Sequence, residues 1–253
     1  MSKLSAGSTK VPQRLQQRIG RLVGACVEEH ALIASGDRIL IAVSGGKDSY
    51  ALLHELKRMQ AVAPIPFELL ALHVNMAHPR APMAELVSSF AASGVPLLIE
   101  NLNLQALLQE KLDAGASPCS LCSRVRRGIL YTQAKRLGCH KIALGHHRDD
   151  AIETLLLNMF YSGQLKGMPA KLRSDDGENV VIRPLLYVPE AMIVELMGYL
   201  AYHVDKGSPC GQTPYTKRSE LKALLQQLEQ NNPKLRGNIF ASMRRVVRSH
   251  LLD

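Results

Sequence analysis

Tryptophan is absent from the chain, and four phenylalanines and seven tyrosines supply the rest of its aromatic content. So thin a supply argues against a platform on which successive nucleic-acid bases stack. No apolar run approaches the ~18 residues that a membrane-crossing helix needs, so no membrane partner is expected. The first ten residues are rich in Ser, Gly and Lys and lack the apolar stretch of a secretory signal, and the expectation is a cytoplasmic protein. In that compartment the five cysteines are better suited to metal or redox roles than to stable disulfides. Acidic residues are also short, 22 against 31 Lys and Arg, which leaves a net charge of +9. A surplus of this size favours a polyanionic partner. It is clustered at Lys10, Arg14, Arg18 and Arg21, at Arg124, Arg126 and Arg127, and at Arg244, Arg245 and Arg248. Phosphate contacts are thus better supported than base stacking.

Short apolar runs alternate with helical patterns along most of the chain. Helices are predicted over Val11 to His30, Asp48 to Gln60, Ala84 to Ala92, Ser120 to Leu137, Asp149 to Tyr161 and Pro189 to Tyr202, with two more over Ser219 to Gln230 and Gly237 to His250. Strands are predicted at Asp37 to Val43, Phe67 to Val74, Pro96 to Leu102, Lys141 to Leu144 and Val180 to Ile182. Gln164 to Glu178 reads as an exposed loop or short hairpin, and Gly207 to Gly211 as a break. Alternation of this kind implies an α/β fold, a parallel sheet with helices on both faces, flanked by N- and C-terminal helices. Ligands on such a sheet sit beyond the carboxyl ends of its strands.

The sharpest local signal follows the first strand: Ser44-Gly45-Gly46-Lys47-Asp48-Ser49. Two glycines let the backbone turn tightly and approach an anion. The helix start offers amide N–H groups and the positive end of its dipole. Lys47 adds a cation, Ser44 and Ser49 add hydroxyls, and Asp48 can cap the helix or help hold Mg²⁺. The spacing is not that of the Walker loop. It resembles the PP-loop signature of the N-type ATP pyrophosphatases, which cleave ATP between the α and β phosphates. That resemblance implies an adenine contact near the end of the second strand, at His73.

Cys119 and Cys122 form a CxxC with Pro118 before it and arginines after it, a spacing that places two thiolates on one metal or cluster. Cys210 lies in a Pro-Cys-Gly turn; Cys26 and Cys139 have no such surroundings and read as buried, inert thiols. On these residues alone an iron–sulfur cluster, a structural zinc and a redox pair all stay open.

Gly145-His146-His147-Arg148-Asp149-Asp150 runs on into an Ile-Glu-Thr-Leu-Leu-Leu-Asn-Met-Phe-Tyr helix, and Ile182-Arg183-Pro184-Leu185 is followed by Tyr187-Val188-Pro189-Glu190. The order of PP-loop, CxxC, GHHxDD block, IRPL block and late Cys-Gly resembles the tRNA 2-thiocytidine synthetase family. That resemblance covers roughly Asp37 to Gly211. It implies a 4Fe-4S cluster on Cys119, Cys122 and Cys210, ATP with Mg²⁺, and 2-thiolation of cytidine 32 in the anticodon loop of tRNA. It further implies a cysteine desulfurase as sulfur source and a homodimer. The text around Cys210 departs from the family's usual Pro-Cys-x-x-Cys-Gly. Lys47, Asp48, Asp149 and Asp150 are the candidate catalytic residues. Ser44 to Ser49, His73 and Gly145 are the candidates for nucleotide binding. Asp149 and Asp150 could instead only cap a helix, and His146 and His147 could be ordinary loop residues.

Three regions follow: a basic helical segment over 1–30, an ATP pyrophosphatase domain with the cysteine-pair insertion over 31–205, and a helical segment with the late cysteine over 206–253. Two other functions are compatible with the PP-loop, a 2-thiouridine-forming tRNA enzyme and a lysidine-forming or amidating ligase with structural zinc. A third, from another class, is a non-catalytic nucleic-acid-binding module.

Overall fold

The computed structural model describes residues 10–75, 83–102, 118–200 and 217–251, with the side chains of residue 85 and of 118–120 excepted. Cys210 and the break at Gly207 to Gly211 lie outside them. No helix among the described residues is long and apolar enough to cross a membrane.

A six-stranded sheet forms the centre. Its strands are β1 (Asp37–Val43), β2 (Phe67–Asn75), β3 (Leu97–Asn101), β4 (Lys141–Ala143), β5 (Lys171–Arg173) and β6 (Val180–Ile182), in the spatial order β3-β2-β1-β4-β6-β5. All neighbours are parallel except β5, which runs antiparallel to β6 at one edge. The expected hairpin is therefore present, closed where Asn179 donates its amide to the Ser174 hydroxyl at 2.9 Å. The strand order reverses between β1 and β4. The loops leaving those two strands emerge side by side at the carboxyl end of the sheet, the usual place for a ligand in such folds.

Residues alternate strictly in β2. Leu69 and Ala71 join the larger apolar core on one face, and Leu70, Leu72 and Val74 join a smaller one on the other. The larger core receives α1 (Gln13–Glu29), α2 (Lys47–Val62), α3 (Met83–Ser93) and α6 (Glu190–Tyr199). The smaller is covered by α4 (Pro118–Arg136) through Leu130 and Ala134. Outside the first layer lie α5 (Arg148–Ser162), α7 (Lys217–Asn231) and α8 (Leu235–Ser242), held together by Ile152, Leu221 and Leu225.

The sequence places a helix over Gly237 to His250, but α8 stops at Ser242 and only a single 3-10 turn follows at Arg248–His250. Met243 still packs on the apolar clusters, but beyond it Val246 and Val247 are 57% and 59% exposed. Arg244 is instead drawn to Glu29 of α1 at 2.6 Å.

The basic N-terminal helix α1 is part of the main packing. Leu15, Ile19, Val23 and Cys26 are all buried, which is why its apolar residues recur at helical spacing. Ile19→Ala should cost about 2–5 kcal/mol of unfolding free energy in a denaturant titration. A cost near zero would mean that α1 is a detachable appendage.

Candidate active site

The loop after β1 turns through Gly45 at φ +82°, a conformation that suits glycine and few other residues. Gly46 then caps α2. The turn is held from inside: the Gly46 amide donates to the Ser44 hydroxyl at 3.2 Å, and the Ser49 hydroxyl donates to the Gly46 carbonyl at 2.8 Å. The amides of Lys47 and Asp48 open the helix, where no carbonyl of the preceding turn is available to them. Amide donors and dipole end thus point to one place.

Gly145, from the loop after β4, packs directly on this turn. A Cβ there would lie 2.8 Å from the Asp48 carbonyl oxygen and 3.2 Å from the Ser49 nitrogen. Side-chain atoms cannot fit between the two backbones, so the glycine sets how closely the second loop approaches the first.

Between these loops and α4 lies a cavity of about 430 Å³. Ser44, Asp48, Ser49, Gly145, His146 and Asp150 line it, together with Ser123, Arg126, Arg127 and Tyr131 of α4 and with Arg183. The helix that begins on the cysteine pair therefore shares a single cavity with the phosphate loop. Three arginines on its lining suit a polyanionic ligand.

The histidines have distinct places. His147 is buried and caps α5: its Nδ1 accepts from the Asp150 amide at 3.4 Å, and the Asp150 carboxylate accepts from the His147 amide at 3.0 Å. Its Nε2 lies 3.7 Å from Asp48. His146 lines the cavity, and its Nδ1 accepts from Arg183 Nε at 3.3 Å. Burial, with the Arg183 charge added, pushes its pKa down to about 4, so at neutral pH the ring is uncharged. With Nδ1 accepting, Nε2 carries the proton. His73 is not among the residues that line the cavity; it donates Nδ1–H to the Val43 carbonyl at 3.0 Å. Burial holds its pKa below the usual value. Leu72 and Val74, its neighbours in the strand, are the residues that reach the cavity.

The structure also separates the aspartate pair. Asp150 lines the cavity. Asp149 is buried and turned the other way: it accepts from the Glu190 amide at 2.8 Å and from Arg236 at 3.0 Å, joining α5 to the start of α6 and to α8.

Cys119 and Cys122 stand three residues apart in the first turn of α4. Cys122 is half-buried and forms no disulfide. A helix N-terminus and following arginines lower the cost of a thiolate, so this pair suits metal ligation. Cys26 and Cys139 are buried, and burial raises both thiols, Cys26 to about 12. Among the described residues no three potential metal ligands converge. Cys119 and Cys122 stay candidates for metal ligation by their place at the start of α4, and the third candidate, Cys210, lies outside the described residues.

Residues 12–209 match the PP-loop domain family. Over 240 residues, 95% of this chain and 80% of the relative, the sequence is 43% identical to a tRNA-cytidine(32) 2-sulfurtransferase of Polynucleobacter asymbioticus. It is 44% identical to a protein of the same name from Anaeromyxobacter, again over 95% of this chain and 79% of the relative. The chain belongs to the PP-loop tRNA-cytidine(32) 2-sulfurtransferase family. Two solved structures share the fold of this family member. The U34-tRNA thiolase NcsA of Methanococcus maripaludis, solved with its 4Fe-4S cluster, superposes with a TM-score of 0.74 at 24% identity, covering 95% of this chain and 82% of that one. The NH3-dependent NAD synthetase of Campylobacter jejuni superposes at 0.51 and 17% identity, covering 95% and 96%.

Sequence reasoning missed the charges that surround the family's phosphate loop. Lys47 pairs with Glu190 at 2.9 Å and with Asp48 at 3.0 Å. Burial works against the charged ammonium, but these carboxylates outweigh it and raise the Lys47 pKa. Glu153, in the helix after the GHHxDD block, has no solvent exposure and is flanked by Arg218 at 3.4 Å and Lys222 at 3.5 Å of α7. The available signal was the presence of acidic residues within otherwise apolar blocks, Glu153 in an Ile-Glu-Thr-Leu run and Glu190 after Val-Pro. Gly145→Ala should weaken binding of Mg²⁺-AMPCPP, an ATP analogue with a methylene between the α and β phosphorus atoms, by roughly 10-fold. It should also cost about 1–3 kcal/mol of stability, read by calorimetric titration beside a denaturant curve. Wild-type affinity in that variant would mean that the two loops can part freely.

Proposed function

We propose that the protein is an ATP-dependent tRNA sulfurtransferase that 2-thiolates cytidine 32 of the anticodon loop. The observation that carries this reading is the cavity shared by the phosphate loop and the helix of the cysteine pair. Family membership supplies the substrate class, and the net charge of +9 suits a nucleic acid.

In this reading ATP lays its phosphates on Ser44 to Ser49, where the amides of Lys47 and Asp48 receive them. Asp48 and Asp150 would hold Mg²⁺, which when bound would offset charge on the pyrophosphate. The base oxygen O2 attacks the α-phosphorus; an O–P bond forms, the α–β bridge breaks and pyrophosphate leaves. A sulfur nucleophile then forms the C2–S bond as AMP departs with the former O2. Neutral His146 offers its Nε2–H to the oxygen on which charge develops, while Arg126, Arg127 and Arg183 balance phosphate charge. Asp149 positions Glu190 and α6 without touching the nucleotide. Cys119, Cys122 and Cys210 would hold a 4Fe-4S cluster, which when bound supplies the sulfur-carrying chemistry. A cysteine desulfurase is the sulfur source, the assembly is a homodimer, and the compartment is the cytoplasm.

Nucleoside mass spectrometry of tRNA incubated with the protein, ATP and a sulfur source tests the reading. 2-Thiocytidine should appear with wild type and be lost with Lys47→Ala. Appearance of 2-thiouridine instead would transfer the protein to a different product class, and no thiolated nucleoside would remove the enzymatic reading.

Cys119→Ala, Cys122→Ala and Cys210→Ala should each lose iron and thiolation together, whereas Cys26→Ala and Cys139→Ala should keep both. Iron and sulfide analysis of anaerobically purified variants provides the measurement. A full iron complement in the Cys210 variant would exclude it as a ligand.

A further inference from the structure

The ammonium of the phosphate-loop lysine is turned out of the cavity. Asp48 and Ser49 line that cavity, but Lys47 does not; its Nζ lies 2.9 Å from Glu190 Oε1, a residue of a different helix. Asp48, the other partner, belongs to the loop itself and can accompany Lys47 wherever it points. Glu190 cannot. It follows Pro189 at the start of α6, and its amide is fixed to Asp149 at 2.8 Å, which is fixed in turn to Arg236 at 3.0 Å. Phosphate oxygens on the loop therefore compete for one ammonium with a carboxylate whose backbone is anchored on another helix.

Glu190 has a second cation at its back. Lys222 Nζ lies 3.6 Å from Glu190 Oε2 and 3.5 Å from Glu153 Oε1. Because Lys222 is shared with the fully buried Glu153, it neutralises Glu190 only in part, and a residual negative charge faces Lys47. Burial alone would push the Glu190 carboxyl up, but Lys47, Lys222 and His147 together hold it below the usual range, so it is charged at neutral pH.

We propose that Glu190 is a positioning residue that competes with the nucleotide's phosphates for Lys47 and recovers the lysine as pyrophosphate leaves, and that Lys222 of α7 sets the strength of this competition. The inference rests on the ATP-binding reading above and extends it to product release. It requires no covalent step: one ion pair is exchanged for another. With Lys47 on Glu190, pyrophosphate loses its cation and departs. With Lys222 in place, Glu190 is weak enough to surrender Lys47 to incoming ATP.

Opposite signs in two neighbouring variants test this. Glu190→Gln keeps the backbone contact to Asp149 and removes the competing charge, so Mg²⁺-AMPCPP should bind roughly 5-fold more tightly, as expected for one partly exposed ion pair. Turnover should nevertheless fall, because pyrophosphate should inhibit the variant more strongly. Lys222→Met strengthens the hold of Glu190 on Lys47 and should weaken the analogue by roughly 5-fold. In the double variant the Lys222 effect should nearly vanish, because its route through Glu190 is gone. Calorimetric titration gives the affinities, and product-inhibition kinetics the release. Weaker binding in both single variants would make Glu190 and Lys222 mere scaffolding and overturn the proposal. An equal Lys222→Met effect with and without Glu190 would replace it with through-space attraction. Should Lys222→Met fail to fold, Glu190→Gln decides alone, since scaffolding cannot tighten binding while slowing release. A wild-type protein that binds no AMPCPP would remove the nucleotide reading itself, a separate outcome.

Discussion

Two backbones meet at the carboxyl ends of β1 and β4, and the rest of the site is arranged around that meeting. Parallel pairing of the two strands delivers one loop as Ser44 to Gly46 and the other as Leu144 to His147. The approach is so close that a Cβ on Gly145 would press into the peptide after Asp48. Once the loops are locked, the cavity wall, the cap of His147 on α5 and the orientation of Asp48 all follow. Packing density, more than any hydrogen bond, fixes where an anion can be held.

Around this contact the protein accumulates charge in depth. Lys47, Asp48, Glu190, Lys222, Glu153 and Arg218 form a continuous chain of ion pairs across α2, α5, α6 and α7. Most of these pairs join residues of different helices, so a shift of one helix against another breaks ion pairs. Such networks are poor sources of net stability, because desolvation offsets most of the attraction. Their value is in geometry: a charge that has exchanged one partner for another reports it to the next helix.

Much of the fold was legible in the sequence. Apolar runs bounded by turn residues gave the strands β1, β2, β4 and β6, because a buried strand must be continuously apolar and a phosphate loop must follow one. The end of α8 was not legible, since its apolar spacing continues past Ser242 through residues, Val246 and Val247, that stay exposed. In the site, Ser44 to Ser49 was readable because glycine, lysine and hydroxyls at that spacing have few other uses. The division of labour between Asp149 and Asp150 was not. Adjacent residues on a helix point about 100° apart, and only the tertiary positions of Glu190 and Arg236 decide which one faces the ligand. His73 shows the same limit: strand alternation puts it opposite Leu72, on the face that local sequence cannot choose.

The antiparallel edge has a consequence for how the molecule behaves in company. β5 is three residues, Lys171, Leu172 and Arg173, all exposed, with Lys171 tied to the Ala31 carbonyl and Arg173 to Gly177. A short rim that carries two cations gives a foreign strand little to zip onto and repels a second rim of its own kind. That side of the sheet is thereby guarded against edge-to-edge stacking at the high concentrations reached in a crowded cell.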